Sequence, residues 1–96
     1  MKYGLYAMRD SATRQFLSIS VDMNNDVAMR NFDFAMMNNE QLKFRPSDFA
    51  LYKIGDYDSA SGQIEPQQPE CLRLGTESEV YCNGIQDYNG QTEDNQ

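Results

Sequence analysis

Three stretches of the chain space their apolar side chains regularly, and the spacing changes between them. Residues 2–8, KYGLYAM, alternate: Tyr3, Leu5 and Ala7 fall to one side, Tyr6 and Met8 to the other, which predicts a strand. Residues 15–21, QFLSISV, alternate more clearly. Leu17, Ile19 and Val21 are expected on one face, Phe16, Ser18 and Ser20 on the other. Residues 10–13 are turn formers, so the two runs should make an antiparallel hairpin with the aliphatic face inward.

The period then lengthens. In residues 24–39, NNDVAMRNFDFAMMNN, a helix brings Ala28, Met29, Phe32, Ala35 and Met36 into an arc of about 120° at about 100° per residue. That stripe should cover the sheet. Asn24 or Asn25 can accept a hydrogen bond from an otherwise unpaired first-turn N–H, Asp26 suits the positive end of the helix dipole, and Asn38 and Asn39 end the element. Val27, Phe34 and Met37, with Arg30 among them, lie opposite the stripe and give the helix a second apolar side. Three arrangements account for it: a wedge between sheet and tail, a surface for a partner or a second copy, or a nucleic-acid contact with Arg30 on a phosphate.

FALYKIGDYD, residues 49–58, is strand-like up to Gly55, and residues 59–62 turn back, with Gly62 free to take a positive φ. A short strand around Gln63 and Ile64 follows, and Pro66 and Pro69 are expected to stop its pairing. Beyond them Gln, Asn, Glu and Gly dominate. Residues 67–96 read as a largely mobile acidic tail with a docking segment near residues 71–74 or 80–82. No internal repeat stands out. The fold class is α+β: a small antiparallel β-β-α-β-β sheet with one helix on one face, ordered over 1–66, then the tail over 67–96.

Composition narrows the function. A chain of 96 residues makes one small domain with little stability to spare. The net charge of -7 sits mostly in residues 59–96, where Arg73 is the only cation. A near-neutral body with an acidic end is not the usual profile of a strong nucleic-acid binder. No run approaches bilayer length and the first residues have no signal-peptide core, so a cytoplasmic protein is expected. Cys71 and Cys82 match no zinc spacing; they are either reduced thiols or a disulfide closing a short loop. The chain has no histidine, which excludes Ser-His-Asp and Cys-His nucleophiles. Its glycines are too scattered for a phosphate loop. Asp56 and Asp58 could hold a cation, or simply solvate a turn. No catalytic residue, metal site or cofactor is expected, and the protein reads as a non-enzyme.

What remains is binding. If the aliphatic residues of the second strand face the helix, Phe16 faces away, joined by Tyr6 and Tyr52, with Arg9, Arg14 and Lys53 nearby. Aromatic side chains on an open sheet can stack unpaired bases while cations hold phosphates. Alternatively the rings pair across strands or lie under another chain.

Three blocks also carry a resemblance. MKYGLYAMRDS at the start, VDMNNDVAMRNFDFAM with Asp22, Asn24, Ala28, Arg30 and Phe32, and FALYKIGDYDSASGQIEP with Leu51, Tyr52, Gly55, Asp58, Gly62 and Pro66 are together similar to the small nonstructural protein from the fifth open reading frame of gokushoviruses. These are single-stranded DNA phages of the microvirus group. The resemblance covers roughly residues 1–66. It implies a non-virion protein of the infected bacterial cytoplasm, of a type labelled DNA-binding, with a role in single-stranded genome synthesis or packaging. Arg9, Arg14, Arg30 and Lys53 would then hold phosphates, and Tyr6, Phe16 and Tyr52 would stack. The competing expectation is a protein-interaction module, self-associating or binding a phage or host protein through Val27, Arg30, Phe34 and Met37.

Overall fold

The computed structural model describes residues 1–78. Four strands, β1 (Lys2–Asp10), β2 (Gln15–Asp22), β3 (Phe49–Asp58) and β4 (Gln63–Leu74), form one antiparallel sheet in the order β2-β1-β3-β4. Helix α1 (Asn25–Asn38) lies across one face and is followed by a short helix, α2 (Glu40–Phe44), and a 3-10 turn at Pro46–Asp48. The expected α+β architecture is therefore the observed one, with α2 as an addition. Asn24 caps α1 by accepting from the Val27 N–H at 2.9 Å. Asn39 both closes α1 and starts α2, its backbone N–H donating to Ala35 O and its side-chain oxygen accepting from the N–H groups of Gln41 and Leu42.

The core lies between α1 and the two central strands. Tyr6, Ala28, Phe32, Met36, Leu42 and Leu51 are buried together, with Met8, Met29, Phe49 and Leu72 packed around them. The buried stripe of α1 is rotated from the expected one: Ala35 is exposed and Asp33 is buried. The cause is an ionic cluster. The Asp33 carboxylate accepts a hydrogen bond from Ser78 Oγ and lies 3.2 Å from the guanidinium of Arg73 on β4. Burial of a carboxylate is tolerable because both partners are charged or hydrogen-bonding.

Two expectations about the strands need correcting. Leu17, Ile19 and Val21 do not share a face. Ser18 has φ 55°, and the β1–β2 register slips between Tyr6 and Met8. This bulge inserts one residue and reverses the alternation beyond it. Leu17 pairs with Met8 on the helix side, while Val21 pairs with Leu5 on the opposite side and Ile19 is 66% exposed. Nor do the prolines end pairing, because β4 runs on to Leu74. As an edge strand it can turn a missing N–H outward. The ladder steps from Gly55–Pro66 to Lys53–Glu70, so Pro69 sits in an irregular segment opposite Ile54. A Cβ on Gly55 would come within 2.5 Å of Glu65 O, so that close approach needs glycine. The ordered body thus extends beyond residue 66, and of the two docking segments considered, residues 71–74 belong to β4 while 80–82 lie outside the described residues.

A repeat is present after all. DSATRQ (10–15) and DSASGQ (58–63) make the same turn at opposite ends of the sheet. In each, the Asp side chain accepts from the N–H two residues on, and its carbonyl accepts from the N–H four residues on. In each, the next residue, Ser, donates both N–H and Oγ to the carbonyl just before the other hairpin's central strand. Ser11 holds Asp48 O at 2.8 and 3.1 Å, and Ser59 holds Met1 O at 2.9 and 3.1 Å. The two hairpins are related by an approximate twofold axis normal to the sheet.

Candidate nucleic-acid interface

Cross-strand partners share a face of a sheet, so the register sorts every strand residue it pairs. Tyr3, Leu5, Ala7 and Arg9 of β1 stand opposite Tyr57, Gly55, Tyr52 and Ala50 of β3, and Leu5 and Arg9 also stand opposite Val21 and Phe16 of β2. On β4, Ile64 and Cys71 face Tyr57 and Tyr52. These residues line the face away from α1. All six carboxylates of the strands fall on the other side: Asp10, Asp22, Asp56, Asp58, Glu65 and Glu70 lie in the rows of Lys2, Gly4, Tyr6 and Asp10, which share the face of Met8 and Leu51. The chain is acidic, yet the open face of its sheet carries no acid among the residues so paired.

Two aromatic residues of that face converge at one corner. Phe16 and Tyr52 meet edge to face, with ring centroids 5.3 Å apart and planes at 89°. The Arg9 guanidinium sits 5.8 Å from the Phe16 centroid, a cation–π arrangement. Arg14 follows in the turn two residues before Phe16, exposed and with φ 62°. Among the described residues neither arginine takes part in an ion pair.

The sequence-derived set is therefore divided. Arg9, Arg14, Phe16 and Tyr52 come together. Tyr6 does not: it is 0% exposed beneath α1, and its hydroxyl donates to Asn25 Oδ1 at 2.8 Å. Its ring lies over Gly4, where any Cβ would collide with it. Lys53 pairs with Tyr6 across the strands, on the helix side, and its ammonium lies 3.2 Å from Asp56. Arg30 is exposed on α1, on the far side of the sheet from Phe16. A simple alternation placed Tyr6 and Phe16 together; they belong to opposite faces because residues paired across the hairpin, not residues of matching polarity, share a side. Asp58 is a turn residue: the Ala60 N–H, and beyond it the terminal ammonium at 3.6 Å, hold its carboxyl below the usual carboxylate range. Tyr3 and Tyr57, which the sequence reading passed over, join the open face through their mutual pairing.

Burial, and then the nearby carboxylates of Asp22 and Asp56, push the Tyr6 phenol above its ordinary value. The folded state therefore holds this proton more tightly than the unfolded chain. Its contribution to stability is complete below about pH 10, the ordinary tyrosine value, and is lost as pH rises from there through the folded value. An ultraviolet absorbance titration should show a late-ionising phenol that Tyr6→Phe removes; an unchanged curve in the variant would contradict the assignment.

A family model described as Phage ORF5 protein matches residues 3–79, most of the chain and all four strands. The chain belongs to the phage ORF5 protein family. The match agrees with the gokushovirus-type resemblance of the three sequence blocks. It also reaches past residue 66, as does the ordered body. No curated protein and no solved structure matches this ORF5-family chain.

Proposed function

We propose that this ORF5-family protein is a non-enzymatic accessory protein that binds single-stranded DNA on the open face of its sheet, in the cytoplasm of the infected bacterium, during phage genome synthesis or packaging. The observation that carries the reading is the segregation of charge: an acidic protein keeps every strand carboxylate off one face and sets Phe16, Tyr52 and Arg9 there, with Arg14 in the adjoining turn. Unpaired bases offer π-faces to such rings, and phosphates accept from the arginines. Arg14 adds support. It occupies a left-handed position that the sister turn gives to Gly62, at φ 76°. A long side chain in that conformation is locally strained, and a phosphate contact at the rim of the face supplies a reason for it.

Fluorescence anisotropy with a labelled single-stranded oligonucleotide at low salt tests the reading. Binding should weaken as salt rises. Phe16→Ala and Tyr52→Ala should each cost about 1–3 kcal/mol of affinity, and Arg9→Ala should reduce the salt slope by about one. Absence of binding, or binding indifferent to these residues, sinks it.

A second reading, a protein-interaction module, draws on the outer side of α1. Phe34 is 69% exposed there, between the half-buried Val27 and Met37 and beside Arg30. In that case a phage or host protein, not DNA, is the ligand, and Phe34→Asp abolishes its capture while leaving oligonucleotide binding unchanged.

A further inference from the structure

Helix α1 covers the central strands and touches β2 at its end, where Asn31 Nδ2 donates to Asp22 Oδ1 at 3.0 Å, leaving the rest of β2 exposed. The result is a groove of about 490 Å³ between β2, α1 and α2, floored by Met8, Leu17, Phe32 and Leu51. Its rim carries Asp10 and Asp22, and among the described residues neither is in an ion pair. An apolar trough with Asp22 at one end of β2 and Asp10, paired with Gln15, beside the other suits an apolar anchor flanked by cations.

The same chain presents that chemistry. Phe44, the last residue of α2, is 78% exposed, the most exposed large apolar side chain among the described residues. Lys43 and Arg45 flank it. Lys43 has no ion-pair partner among the described residues, and Arg45 has only a loose one, its Nε 3.9 Å from Asp48. We infer that the groove is occupied by Phe44 of a second copy, with Lys43 and Arg45 of that copy meeting Asp22 and Asp10.

The arrangement closes on itself. Asn39, Gln41 and Leu42 of α2 line the groove, and Phe44 ends the same helix. Donor and acceptor patches are thus neighbours, and a twofold axis beside α2 engages both at once. Such an isologous contact stops at two copies. It leaves the open face of each sheet uncovered, so it neither requires nor blocks oligonucleotide binding.

The test is native mass spectrometry and light scattering of the full chain over a concentration series, without DNA. The wild type should form dimers. Phe44→Glu should raise the dimer dissociation constant about a hundredfold, as loss of a buried aromatic anchor does, with unchanged circular dichroism because the side chain is exposed in the single chain. Phe34→Asp should dimerise like the wild type. The methyl resonance of Met8, in the groove floor, should shift with concentration in the wild type and stay fixed in Phe44→Glu. A wild type that remains monomeric overturns the inference. So does a dimer that survives Phe44→Glu, one that Phe34→Asp abolishes, or a Met8 methyl indifferent to dimerisation.

Discussion

Replacing Asp33 with alanine is expected to lower the unfolding free energy by about 3–5 kcal/mol, the usual cost of breaking a buried ion pair by removing one partner. The side chain of Asp33 is 6% exposed and that of Arg73 22%, so the guanidinium, losing this carboxylate, recovers only part of its hydration. Ser78, fully buried, loses its acceptor as well. These three residues join α1, β4 and the helical turn at residues 75–78. Gly75 opens that turn where a Cβ would strike the Pro46 carbonyl and come within 2.8 Å of Phe49 O, so the segment is pressed against the body and cannot shift to compensate. Small domains hold only about 5–15 kcal/mol in total. In a urea titration the midpoint should fall sharply with little change in slope. Removing both charges in Asp33→Leu/Arg73→Met should cost less than Asp33→Ala alone, since the guanidinium then no longer faces the vacated carboxylate position. A double variant as unstable as the single one would show that the pair itself supplies the stability.

Phe32→Ala should be next in size, at about 3 kcal/mol, the low end for a core phenylalanine. Phe32 belongs to the buried cluster that α1 shares with Tyr6 of β1 and Leu51 of β3. It also borders the groove beside β2, so the space left behind is open on one side and can be filled by water or by movement of Met8 and Met29. Phe32→Leu keeps most of the volume and should cost under about 1.5 kcal/mol. The loss is measurable in the same titration. A Phe32→Ala protein as stable as the wild type would mean that the helix stripe is not the main source of burial. The two positions adjoin on α1, so their costs should not simply add.

Periodicity along the chain is enough for the order of the four strands and α1, for a cap at Asn24 or Asn25, and for the helix-on-sheet layering, because each rests on local spacing; α2 is not legible in this way. The failures share a physical cause. Ser18 is an ordinary residue whose left-handed backbone slips the β2 register, and nothing in QFLSISV announces it, so the aliphatic trio looked continuous. The length of β4 was hidden because proline is forbidden only where its missing N–H faces a partner, which depends on strand order. Asp33 has no place in an apolar stripe, and its partners, Arg73 and Ser78, lie far along the chain, so its burial is not legible locally. The Asp-Ser-Ala turns, by contrast, are legible in the letters, but the likeness is short because the flanking strands do not repeat. At the candidate interface, four of seven residues converge. Which ones was a question of strand pairing, not of composition.

The paired serine clasps also bear on how the chain gets made. Each spans a long stretch of sequence, 37 residues for Ser11 and 58 for Ser59, and each secures the hairpin that does not contain it. During synthesis the Met1 carbonyl lacks its Ser59 clasp until residue 59 has emerged from the ribosome. Closing such distant contacts is entropically slow. The two halves should therefore form and dissolve as a single cooperative unit, with no stable half-folded species for proteases or neighbouring chains to seize.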